Sequence, residues 1–131
     1  MAATFEALNA YDLSTDELKG ALLAGAEGTH VSVRAATQLI VEHATWLEED
    51  EFLFAIRVVQ VGEAVVAYID WGRIELDDWH DQGAYQILLM AQLLAGVQHN
   101  WTVENIFGDL NDHETLLACR AWARVCAESL P

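Results

Sequence analysis

Three carboxylates and an imidazole fall within five residues at Asp77-Asp78-Trp79-His80-Asp81, the most tempting set of metal-ligating side chains in the chain. Hard oxygen donors beside an imidazole are a donor set for a divalent cation. The spacing does not fit a calcium loop. Counted from Asp78, Gly83 fills the sixth position, where the loop turns sharply, but Leu89 stands at the twelfth, where a bidentate acid is required. Asp109-Leu110-Asn111-Asp112-His113 fails in the same way, with Glu114 in place of the glycine and Arg120 at the end. Acids ahead of a periodic apolar run have a simpler use, since they cap a helix N-terminus and complement its dipole. No metal site is assigned.

Nucleophilic and phosphate-binding chemistry find no support. No Ser-His-Asp or Cys-His set assembles from the spacing, and neither G-x-x-x-x-G-K-[ST] nor G-x-G-x-x-G occurs. Carboxylate pairs abound, but with 21 acids in 131 residues their presence says almost nothing about acid–base catalysis. The sequence assigns no catalytic residue and no cofactor, and it is not read as an enzyme.

Two other groups of residues stand out. His43 lies between Ile40 and Leu47 on an apolar helical face, the setting of a hydrogen-bonded interior histidine rather than a ligand. Trp46 reads as an aromatic filling a helix junction. Together with Ile69-Asp70-Trp71 they give a candidate structural nucleus of His43, Trp46, Asp70 and Trp71, in which Asp70 caps a turn or accepts from an indole or imidazole. The second group is acidic and aromatic: Glu48, Glu49, Asp50 and Glu51, then Asp77, Asp78, Trp79, His80 and Asp81, with Trp101. It forms a candidate interaction surface on which Trp79 and Trp101 would be anchors and the acids a rim.

These residues need a scaffold, and the hydrophobic periodicity supplies one. Ser14-Thr15-Asp16-Glu17 has capping-box spacing, and Leu18, Ala21, Leu22 and Ala26 follow at helical intervals until Gly25 and Gly28. Val33, Ala36, Ile40, Ala44 and Leu47 predict a long second helix from Ser32 to Leu47, ended by the acidic run 48–51. The stretch 52–69 is rich in β-branched and aromatic residues around Gly62-Glu63, which predicts a hairpin pairing Val61 with Ala64 and Val59 with Val66. The competing reading makes 50–60 a short helix capped by Asp50. A helix from about Gln82 to Gly96, apolar nearly all round, is expected at the centre of the fold. Asn111-Asp112-His113-Glu114 repeats a capping spacing before a last helix carrying Leu116, Leu117, Cys119, Ala121, Ala123 and Val125. The expected fold is a mainly α domain of four to five helices with one hairpin at about 52–69, the alternative being all-α. It spans 1–131 as a single acidic domain, since the one proline is the last residue and no linker is visible.

Several of these segments resemble a set of small proteins from actinobacteria and their phages that has no assigned activity. The resemblance rests on His43-x-x-Trp46-Leu47, Ile69-Asp70-Trp71, Leu88-Leu89-Met90-Ala91-Gln92-Leu93-Leu94-Ala95-Gly96, and Val103 to Leu110 leading into Asn111-Asp112, and covers roughly residues 35–127. The chain departs from it with Met90-Ala91-Gln92 where Leu-Ala-Ala is usual and with its heavier acid load. The resemblance implies helical structure and no function.

Composition narrows the function classes. The formal charge is −15, yet 53% of residues are hydrophobic, so a packed core is available and the acid belongs on its outside. Six Lys and Arg scattered among 21 acids form no basic stripe, which argues against direct nucleic-acid binding and against anionic membranes. Cys119 and Cys126, seven apart on one expected helix, are about 10 Å apart along its axis, beyond disulfide reach. They read as reduced core residues and favour a cytoplasmic setting. Met1 to Glu6 has no basic start and no continuous apolar run, so no export signal is expected. The expected function is a small intracellular protein–protein interaction or regulatory module whose partner offers a basic or apolar surface, self-association being one use of such a surface. The alternative is a nucleic-acid mimic, with 48–51, 75–81 and 104–114 imitating rows of phosphates.

Overall fold

The computed structural model describes residues 5–74, 82–97 and 108–129. Among them, five α-helices and a three-stranded antiparallel sheet make the mainly helical fold with a hairpin that the periodicity predicts. Helix α1 (Thr15–Ala26) starts in a complete capping box: the Ser14 hydroxyl accepts from the Glu17 backbone N–H, and the Ser14 N–H donates to the Glu17 carboxylate. Gly25, expected to end the pattern, instead lies inside α1 and marks its closest approach to the sheet. A Cβ there would overlap the Ala67 carbonyl.

Helix α2 (Val31–His43) stops four residues before the expected Leu47. Ala44 adopts a left-handed conformation at φ 69°, its N–H closes onto the Ile40 carbonyl, and a 3-10 turn, Thr45–Glu48, follows. A non-glycine residue in this region costs about 1–2 kcal/mol. The redirected chain buries Trp46 and Leu47 at 0% and 2% exposure, and each such side chain contributes about 1.5–3 kcal/mol, so burial outweighs the strain.

The segment expected as either helix or hairpin contains both. Asp50–Leu53 forms the single turn α3, with Glu49 rather than Asp50 at the N-cap position and no side-chain cap bond. Strands β2 (Ile56–Val61) and β3 (Ala64–Ile69) then pair in the anticipated register, Val61 with Ala64 and Val59 with Val66. Gly62 at φ 62° supplies the positive angle that the first turn position needs. A strand not expected from sequence, β1 (Phe5–Leu8), adds antiparallel to β2 with Phe5 facing Val61 and Leu8 facing Val58. Ile56, Val58, Ala67 and Ile69 are buried, while Arg57 and Tyr68 are exposed and Val59 and Val66 half-buried, so α1 covers one face of the sheet.

Helix α2 packs against α1, against α4 (Gln82–Leu94) and against α5 (Asp112–Ser129). Nearly all of α4 is buried, Ile87, Met90 and Ala91 at 0% exposure, as its apolar surround requires. Helix α5 turns Glu114, Leu117, Ala118 and Ala121 inward. Cys119 and Cys126 lie on roughly the opposite side of α5 at about 100° per residue. Both are exposed free thiols and not core residues as expected. Among the described residues no helix is long and apolar enough to cross a membrane.

Candidate functional site

Of the residues read as an interaction surface, Asp50 and Glu51 come together with three that the sequence did not single out. With Tyr11, Phe54 and Arg73 they line an open groove of about 430 Å³. The geometry begins in α3. Phe52 and Leu53 enter the core at 0% and 8% exposure, and Phe52 packs on Trp46 with ring centroids 6.0 Å apart. At about 100° per residue, this anchoring turns Glu51 and Phe54 outward. Phe54 is 59% exposed, the highest value among the large hydrophobic side chains described. Tyr11, on the 3-10 turn Ala10–Asp12, forms a fixed wall because its phenol O–H donates to the Asp50 carbonyl at 2.9 Å. Arg73, on the 3-10 turn Trp71–Arg73 after β3, places its guanidinium carbon 4.6 Å from the Phe54 ring centroid. Glu48 is exposed and Glu49 half-buried, and neither lines the groove. Asp77, Asp78, Trp79, His80, Asp81 and Trp101 lie outside the described residues.

A second groove, of about 380 Å³, lies beyond the same 3-10 turn, with Asp12, Asp16 and Glu17 around a floor that includes Leu8, Leu13 and Val65. Glu17 is already committed to the α1 cap. The Ser14 backbone N–H, and then its hydroxyl, hold the Glu17 carboxyl below its ordinary value.

His43 and Trp46 meet at a buried polar junction of α2, α4 and α5. His43 Nε2 donates to Glu114 Oε2 at 2.8 Å, both side chains being only 6% exposed. A carboxylate only accepts, so this bond places the proton on Nε2. Glu114 also caps its own helix: its Oε1 accepts from the Asn111 N–H at 3.1 Å, and Asn111 Oδ1 accepts from the Glu114 N–H at 2.7 Å. Among the described residues His43 Nδ1 is buried without a hydrogen-bond partner. The Trp46 indole donates to the Ala84 carbonyl at 2.9 Å. Gln86 donates to Asp109 Oδ2 at 3.2 Å and accepts from the Asp109 N–H at 2.7 Å. A Cβ at Gly83 would overlap the Glu114 carboxylate, so a larger residue there would displace it. These bonds tie α2 and the turn that follows it to α4 and α5.

Asp70 behaves differently from the expectation. It makes no side-chain cap bond, and its carboxylate faces the Arg57 guanidinium on the adjacent strand at 3.6 Å rather than an indole or imidazole. Trp71 is half-buried at the edge of the core. Glu114, counted at sequence level in a phosphate-like row, is 5% exposed and cannot present its charge to a partner. Among the described residues, no three or more His, Cys, Asp or Glu are grouped to hold a metal ion. Comparison with protein-family models, with curated proteins and with solved structures returned no match.

Proposed function

We propose that this chain is a non-catalytic protein–protein interaction module of the cytoplasm, docking a partner of basic and apolar character at the groove of Tyr11, Asp50, Glu51, Phe54 and Arg73. The supporting observation is Phe54, held 59% exposed on a turn whose neighbouring side chains are locked in the core. A rigid aromatic bordered by charge binds a partner without first being ordered, and such anchors carry most of the energy of an interface. The lining supplies a phenol, two carboxylates and a guanidinium, which suits recognition of a polar and apolar surface together. The excess of acid, −15 overall, would steer a basic partner toward the groove and lose reach as salt shortens the Debye length below about 10 Å.

The test is affinity capture from an actinobacterial lysate, comparing the unaltered chain with Phe54→Ala and with Asp50→Asn/Glu51→Gln, at low and high salt, read by mass spectrometry. Circular dichroism confirms that each variant is folded. A partner retained by the unaltered chain and lost from Phe54→Ala supports the groove, with the carboxamide variant weakening capture mainly at low salt. Identical captured sets from all three proteins would remove the groove from the function.

A further inference from the structure

The groove already holds a guanidinium. Arg73 lies over the Phe54 ring at 4.6 Å, inside the distance at which an aromatic face attracts a cation, and Asp50 and Glu51 line the same space. Among the described residues Arg73 forms no ion pair. Its guanidinium contact among them is the stack on the exposed Phe54 ring. It projects from a three-residue turn rather than from a long element.

We propose that the groove is an arginine-binding site and that Arg73 is its internal occupant, displaced when a partner presents an arginine side chain. This deepens the docking reading above and rests on it. The incoming guanidinium takes the Phe54 face, and the Asp50 and Glu51 carboxylates that line the same groove complement its charge. Arginine fits better than lysine, because a planar, weakly hydrated cation both stacks and forms paired hydrogen bonds with a carboxylate, whereas an ammonium is a strongly hydrated point charge. The Tyr11 ring, held by its bond to the Asp50 carbonyl, closes one side and leaves apolar surface for the residue flanking the arginine. At about 430 Å³ the groove has the size of a small-ligand cleft. Exchanging one stacked guanidinium for another keeps the ring covered in both states. Arg73 then acts as a built-in competitor that lowers affinity without closing the site.

The experiment is an NMR titration of the full chain with acetyl-Leu-Arg-Leu-amide and with its lysine counterpart, following the Phe54 and Tyr11 ring resonances and the Arg73 Nε–H. The arginine peptide is expected to shift all three and to bind more tightly than the lysine peptide. Arg73→Ala, with Arg73→Gln as a second variant, removes the competitor and is expected to bind the arginine peptide about two- to fivefold more tightly, the ratio corresponding to one exposed cation–π contact. Phe54→Ala abolishes the shifts. Equal affinity of the two peptides, or no tightening in either Arg73 variant, overturns the assignment. A partner captured through Phe54 while the arginine peptide leaves the ring resonances unmoved overturns the arginine inference and keeps the docking groove; loss of both removes both.

Discussion

Removing the Glu114 carboxylate should destabilise this protein more than any surface acid could. Two bonds go with it in Glu114→Ala: the 2.8 Å contact with His43 and the 3.1 Å capping bond from the Asn111 N–H. The first is a charge-assisted bond between side chains each 6% exposed, and such bonds contribute about 1.5–3 kcal/mol. The cap adds about 0.5–1 kcal/mol, since Asn111 can still bond the backbone of its partner residue. His43 would then have neither ring nitrogen paired, because Nδ1 already lacks a partner among the described residues. The expected loss is about 3 kcal/mol, a large part of the roughly 5–15 kcal/mol that holds a domain of this size. His43→Ala should lose a similar amount by leaving a carboxylate buried with half its bonding. The double variant should lose clearly less than the sum, with a coupling of about 2 kcal/mol. Urea unfolding of the four proteins at neutral pH, followed by tryptophan fluorescence and circular dichroism, measures this directly. A coupling under about 0.5 kcal/mol, with unchanged urea dependence, would show that the two side chains are neighbours without being partners.

Other perturbations follow from single contacts. Gly25→Ala places a methyl group on the Ala67 carbonyl, and parting α1 from β3 should cost about 1–3 kcal/mol in urea; an unchanged midpoint would mean that the helix shifts freely over the strand. Trp46→Phe removes the 2.9 Å indole bond to the Ala84 carbonyl and opens space in the core, for an expected loss of about 1–3 kcal/mol, and near-neutral stability would contradict a contribution from that bond. The Glu17 carboxyl is held below its ordinary 4.5, so the unfolded chain binds that proton at higher pH than the folded chain does. Its contribution is complete above the unfolded value and fades as pH falls through the folded one. Glu17→Gln should therefore flatten the acid side of the stability profile, where pH falls through and below the ordinary carboxylate value, and superimposable profiles would exclude the cap as the cause. Added salt should raise or maintain stability by screening a charge of −15 while weakening capture of a basic partner; a parallel fall in both would refute the separation of surface charge from folding.

Local patterns in this sequence were legible wherever one segment contains its own explanation. Ser14 with Glu17, Gly62-Glu63 between two β-rich runs, and the apolar surround of α4 each specify a conformation within a few residues, and the structure has all three. What could not be read depends on partners distant in the chain. Strand β1 is a short run whose pairing positions lie at Val58 to Val61. Glu114 could be recognised as a capping residue and His43 as an interior one, but nothing in a linear pattern joins two residues 71 positions apart. Ala44 was invisible for another reason: its left-handed angle is imposed by the burial of Trp46 and Leu47, not by its own preference. The groove combines both difficulties. Tyr11, Phe54 and Arg73 come from three separate segments, and a strand reading of 52–56 would alternate Phe52 and Phe54 onto one face, whereas the turn of α3 separates them.

Among the described residues the cations are set against particular acids, so the charge of this chain is not a uniformly negative surface. Arg124 meets the Glu42 carboxylate at 2.8 Å with Arg120 at 3.9 Å, tying α2 to α5, and Arg57 faces Asp70 across β2 and β3. Each of these pairs is partly exposed and adds little to stability, but each occupies a cation with an acid of the same molecule. Glu17 and Glu114 are consumed by helix caps, the second of them out of reach of solvent. Some of the acid therefore has local work, and net charge alone does not mark a binding face. Arg73 is different, since the ring it covers is itself exposed and the carboxylates beside it belong to the groove. A groove in which an aromatic face, two acids and a stacked cation coincide differs in kind from a cluster of helix-end acids, and the proposed preference for a guanidinium rests on that coincidence more than on the charge of −15.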